Sequence, residues 1–286
     1  MGCQAAGAPA GCRCGCVAER DAPRRGRVRP PAVAGTFYPS DRARLTSAVE
    51  SFLRGTSAGR AAEPLRGVIV PHAGYRYSGS IAASAYSLLR AGVPAIERLV
   101  LVGPAHFVRL HGAAVPAAAG WRTPLGLVRI DHDLVRRARS LRAHVDDEPH
   151  ASEHALEVQL PFLQVMLGND LPILPVAVGV ADATWVADLL RALVEPGVLL
   201  VVSTDLSHYH ADATAKRLDQ RTAAAITARD PAAIGPDDAC GVFALRGAVE
   251  WSRRADLAVR LLDLRTSADT AGDASRVVGY GAFAIG

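Results

Sequence analysis

Three apolar runs constrain this chain most, because each ends at once on a His or an Asp. The stretch VIVPHAGYRYSG carries Val68–Val70 into His72, LVLVGPAHF carries Leu99–Val102 into His106, and VLLVVSTDLSHYH carries Val198–Val202 into Asp205, His208 and His210. Short runs of continuous β-branched and Leu residues, bounded by turn formers, read as strands buried on both faces. Open α/β sheets bind ligands at the carboxyl edge of such strands. Three strand ends bearing imidazoles and a carboxylate therefore predict one convergent site.

Around these strands the pattern predicts a single α/β domain over residues 30–286, with a central mixed sheet flanked by helices. Ser40 or Asp41 caps a helix with Leu45, Val49, Phe52 and Leu53 on one face. Leu65–Val70 and Glu97–Val102 are strands, and a helix over Ser80–Arg90 ends at Gly92. Residues 112–129 read as short strands around Trp121, and His132–Leu141 as a helix. Ser152 caps a helix carrying Leu156, Leu160, Leu163 and Leu167, which Pro161 kinks or divides. Two prolines mark Leu171–Val178 as an edge strand. Thr184–Val194 is helical, Val198–Ser203 is a strand and residues 211–228 are helical. A helix opens at Cys240-Gly241, and Leu257–Thr266 pairs with Val277–Ile285 as a hairpin.

Charge and cysteine usage exclude several classes. The chain of 286 residues carries a net charge of +4, and its first thirty residues hold six Arg against Glu19 and Asp21, which accounts for all of it. The remainder is neutral and shows no basic and aromatic stripe, so nucleic-acid binding is not expected. No apolar run reaches membrane-spanning length, and residues 1–29 lack the apolar core of a signal peptide. Cys3, Cys12, Cys14 and Cys16 sit in that leader, read as disordered, and only Cys240 lies in the body. That is no disulfide framework, and a reducing, cytoplasmic setting is expected.

His72, His106 and a Cys240 thiolate are candidate ligands for iron, copper or zinc. A helix amino terminus at Cys240 would favour the thiolate, although an ordinary buried cysteine is the simpler reading. Asp205 and His208, three apart, suit an acid/base imidazole with an orienting carboxylate if their turn is helical. His154 and Glu157 share the polar side of the helix expected after Ser152, where Glu157 either faces the cleft or is solvated. His111, His132, His144, His150 and His210 are expected at the surface.

Six stretches occurring in order carry a resemblance beyond these arguments: VAGTFYP at 33–39, VPHAGYRYSG at 70–79, GPAHF at 103–107, SEHALEVQLPFL at 152–163, STDLSHY at 203–209 and CG at 240–241. Together they resemble the Memo family, whose bacterial and archaeal members are also called AmmeMemoRadiSam system protein B. The resemblance implies a fold like that of the class III extradiol ring-cleaving dioxygenases. It implies a metal pocket of His72, His106 and Cys240, with His208 in the acid/base position and Asp205 beside it. Tyr75, His154 and Glu157 are then expected to line the pocket. The implied function is an iron-dependent (or copper-dependent) redox or oxygenase-like protein acting on an unknown small molecule. A metal carrier and a non-catalytic peptide- or metabolite-binding module are the alternatives for the same pocket. The family name further implies a pathway link to AMMECR-type and radical SAM proteins.

Overall fold

The computed structural model describes residues 26–56, 64–90, 96–271 and 273–286. The Cys3, Cys12, Cys14 and Cys16 cluster and the helix end expected at Gly92 lie outside the described residues.

Four parallel strands form the centre of a nine-stranded mixed sheet. Gly67–Val70 lies beside Val198–Ser203, which lies beside Arg98–Pro104, which lies beside Ile173–Val178. Val277–Ile285 adds antiparallel to Gly67–Val70, and Val259–Thr266 pairs antiparallel with Val277–Ile285 as the expected hairpin. The central strands contain Val68–Val70, Leu99–Val102 and Leu199–Val202, essentially all out of contact with water. Burial on both faces is the physical reason these runs are continuous rather than alternating. Because the four strands run the same way, Val70, Pro104 and Ser203 all end on one edge of the sheet.

Helices flank the sheet in packed groups. Arg42–Arg54, Tyr75–Tyr86 and Leu160–Leu167 pack on one another, and Ala183–Leu193 packs on Val242–Arg254. Asp41 caps the first helix by accepting from the Arg44 N–H at 2.9 Å. Among the described residues, no helix is long and apolar enough to cross a membrane.

The structure corrects several expectations. Order extends below residue 30: Val28–Arg29 pairs in parallel with Gly120–Thr123, and Arg29 is buried. The helix after His72 starts at Tyr75 rather than Ser80, because Gly74 serves as its cap and the Tyr75 N–H is taken by Phe37 O. Ile173–Val178 is interior, not an edge, since Ala113–Val115 adds beyond it. Pro175 is tolerated because that neighbour pairs only with Ala177 and Val178, leaving the outer ladder interrupted at the proline. Ser152 does not start a helix. It ends the short helix Glu148–Ala151, and the chain resumes as a 3₁₀ turn at Glu157–Gln159 and a helix at Leu160–Leu167, with Pro161 in its first turn. Residues 204–207 are irregular and His208–His210 is a strand, so Asp205 and His208 do not share a helix face.

Candidate metal centre

The strand ends deliver their side chains into one open cleft of about 1110 Å³, whose wall includes His72, His106, His154, Asp205, His208 and Cys240. Within it, ligand atoms of His72, His106 and His154 lie within 4.8 Å of one another. The His106 and His154 rings stack at 4.9 Å, and the His72 ring stands nearly perpendicular to both.

The tautomer of each strand-end histidine follows from its partners. Ser203, the last residue of its strand, gives its single hydroxyl proton to Ala155 O at 2.7 Å. It accepts from Gln159 Nε2 at 2.9 Å, so its contact with His72 Nδ1 at 3.0 Å requires the proton on Nδ1. His106 Nδ1 lies 2.9 Å from Glu153 Oε1, and the same carboxylate accepts from the His106 N–H at 2.6 Å and the Ala155 N–H at 2.9 Å. A carboxylate acceptor likewise puts the proton on Nδ1. Both residues therefore leave Nε2 unprotonated, the arrangement found where imidazoles bind metals; that of His72 faces the Cys240 thiol at 3.2 Å.

Electrostatics reinforce the neutral state. Burial, and then the neighbouring His106, push His72 down to about 3. Burial and His72 push His154 down to about 4. For Glu153, burial opposes ionisation, but the hydrogen bonds from His106 and Ala155 together outweigh it and hold the carboxyl at about 2. A permanent anion thus sits behind His106, with Glu153 also 3.5 Å from His154 Nδ1.

Cys240 Sγ lies 3.2 Å from His72 Nε2 and accepts from the Asp205 N–H at 3.3 Å. In the metal-free protein burial, seconded by Asp205, pushes the Cys240 thiol up to about 12, against the lowering expected from its place just before the helix Val242–Arg254. Asp205 does not orient His208. One of its oxygens accepts from the His72 N–H at 2.7 Å, the other lies 4.0 Å from His72 Nε2, and burial raises its carboxyl. His208 instead uses Nδ1 to bind its own loop, at Leu206 O, 2.8 Å away.

Two expected pocket residues are elsewhere. Tyr75 is buried against Phe52 and Phe162, and its hydroxyl donates to Val158 O at 2.7 Å. Glu157 is fully buried away from the cleft. It receives Arg29 Nη1 and the Tyr38 hydroxyl, each at 2.5 Å, together with the N–H groups of Ala32 and Val33. Its role is to clamp the amino-terminal strand, because a buried carboxylate requires an opposing charge and filled lone pairs. His150 is also buried, not superficial, with Nε2 on Ala114 O at 3.2 Å.

Sequence reasoning did not single out Glu153, Ser203 or Gln159, and it placed His154 on a helix rather than in a loop. The adjacency Glu153-His154 was the available signal for the pair. No local signal marks Ser203 and Gln159, whose meeting depends on the strand Val198–Ser203 passing beside the 3₁₀ turn.

A family model described as Memo-like protein matches residues 29–284. The chain belongs to the Memo-like family. Relatives in this family include a "MEMO1 family protein" of Aeropyrum pernix, 38% identical, with 91% of this chain and 100% of the relative covered. Another is the "MEMO1 family protein" of Aquifex aeolicus, 34% identical over 89% of this chain and 97% of the relative. Among solved structures, the uncharacterized protein JW3007 from Escherichia coli K12 superposes with a TM-score of 0.51 at 15% identity. It covers 77% of this chain and 99% of its own, a likeness of fold alone. The Memo-like match begins at Arg29, the buried residue that Glu157 clamps.

Proposed function

We propose that this Memo-like protein is a metal-dependent redox protein, oxygenase-like in its chemistry, that acts on a small molecule in the cleft. The observation that carries the proposal is the convergence of His72, His106 and His154 within 4.8 Å, two of them with Nε2 left unprotonated by a fixed partner on Nδ1. Three clustered imidazoles suit iron, copper or zinc. Iron is the proposed occupant, in keeping with the dioxygenase-like fold that the Memo resemblance implies. When bound, such a metal supplies Lewis acidity and one-electron redox capacity.

The chain's own residues supply the rest. His208 keeps its proton on Nδ1 by donating to Leu206 O, so its Nε2 is available as a base toward the cleft. Asp205 holds the His72 backbone in place. Phe37, Tyr77 and Phe243 give the cleft apolar walls that limit water around a bound molecule. A carrier needs ligands and an exit path; the large cleft and the uncommitted Nε2 of His208 support turnover instead.

Relative to the resemblance, this reading moves His154 into the ligand set beside His72 and His106 and leaves Cys240 as an adjoining thiol. Metal analysis on protein purified without oxygen, with competition titration against a chelator, tests it. His154→Ala is expected to lower affinity more than Cys240→Ser, and His208→Ala to leave metal content intact. Absence of stoichiometric first-row metal under metal-replete conditions overturns the proposal, and a larger loss in Cys240→Ser overturns the ligand assignment.

A further inference from the structure

The mouth of the cleft carries a second constellation that the metal reading leaves unused. His208 pairs with Val278 and His210 with Val277, so Tyr209 is an extra residue bulged out of an antiparallel ladder. Its φ is +63°, a left-handed conformation that favours glycine. Of the non-glycine residues with positive φ among those described, Tyr209 is the one that lines the cleft. A bulky residue held there is strained, and the bulge re-aims its side chain.

The re-aimed ring lies beneath Arg276, whose guanidinium carbon sits 4.5 Å from its centroid. Arg276 is exposed, lines the same cleft, and makes no hydrogen bond or ion pair among the described residues. The contact with the ring restrains the guanidinium while leaving its N–H fork uncommitted, and an uncommitted fork can receive a planar oxyanion in bidentate fashion. His208 and His210 stand on the same wall. Asp237 and Asp273 line the cleft as well, and neither pairs with Arg276; Asp273 is engaged by the Ser275 N–H at 2.7 Å. With Asp205, the cleft is lined by three carboxyl groups, which disfavour a doubly charged ligand and leave room for a singly charged one.

We propose that Arg276, held by stacking on the bulged Tyr209, is the anchor for a carboxylate group of the molecule that enters the cleft. The inference rests on the cleft being a small-molecule site, as proposed above, and it narrows that molecule to a carboxylic acid. The anchor belongs to the chain rather than to the metal, so it works in metal-free protein.

The test uses benzoate as the carboxylate probe and benzamide as its neutral counterpart of similar shape. Binding is followed by ligand-observed NMR on the full chain, both chelator-treated and metal-loaded. Benzoate is expected to bind both forms, benzamide and inorganic phosphate more weakly. Arg276→Gln is expected to reduce benzoate affinity about tenfold, in line with the loss of a charge-assisted fork. Tyr209→Phe retains binding. Tyr209→Gly relieves the backbone strain, raising thermal stability, yet weakens benzoate binding. Equal binding of benzoate and benzamide, tighter binding of phosphate, no effect of Arg276→Gln, or no benzoate binding to either form overturns the proposal. Failure of the metal reading shows separately, as absent metal uptake with benzoate binding intact.

Discussion

Glu153→Gln isolates the part of the site that depends on charge behind a candidate ligand, His106. Glu153 accepts three hydrogen bonds, two from His106 and one from Ala155, and is fully buried. The substitution keeps the shape but turns one oxygen into an NH₂ facing N–H donors. It also removes the anion that makes the His106 imidazole more electron-rich. Outer partners of metal-bound imidazoles are typically worth 10- to 100-fold in metal affinity, or about 1.4–2.7 kcal/mol. In metal-free protein the same change leaves a buried N–H poorly paired, costing about 1–3 kcal/mol of folding stability. Cobalt(II) titration against a competing chelator reads the first quantity through ligand-field absorption, and urea denaturation of the chelator-treated protein reads the second. The expected result is a loss in both, with the cobalt coordination number unchanged. A folded variant whose affinity stays within about twofold of wild type would refute the argument that Glu153 tunes His106.

Glu157→Gln should separate the two quantities, despite its position four residues away. It leaves the buried Arg29 without a counter-charge, so stability should fall by about 3 kcal/mol or more with metal affinity unchanged, as denaturation and chelator competition will report. His150, held at about 4 by burial and then by Arg29, against 6.5 in the unfolded chain, stays neutral in the fold while the unfolded chain protonates. Its contribution is complete above 6.5 and is lost as pH falls toward 4, amounting to about 3 kcal/mol. The stability-versus-pH slope of His150→Gln in that window should therefore be shallower by one proton. Gly279→Ala would put its Cβ 1.9 Å from Asp219 Oδ2. Asp219 in turn holds the Ser207 N–H at 3.0 Å beside His208. A loss of about 1–3 kcal/mol in denaturation is expected, and a neutral result would show that the His208 loop is not packed as described.

The contrast between Glu153 and Glu157 shows where sequence reasoning reaches its limit. Both lie in one quoted stretch, SEHALEVQL, and a helical reading put Glu157 and His154 on one face. The chain there is a loop followed by a 3₁₀ turn, so the face does not exist. His154 turns toward His72 and His106, while Glu157 turns toward Arg29. Pro161 gave a local hint of broken helicity, but the direction each side chain takes depends on what stands opposite it. The same holds at Cys240, where the local helix terminus argues for an anion and the surrounding burial wins.

Sequence alone determined the core strands and the polar side chains at their ends. Continuous apolar runs can be satisfied only by burial on both faces, and a polar residue ending such a run lands on the sheet's carboxyl edge. His72, His106, Asp205 and His208 were legible for that reason. Tertiary structure decided the third imidazole, the tautomers that leave two Nε2 atoms unprotonated, the neutral thiol and the Tyr209–Arg276 stack. Each of these depends on groups far apart in the chain, such as Ser203 against His72 or Glu153 against His106. A hydrogen bond or a desolvation penalty belongs to a pair in space, and no periodicity along the chain encodes it.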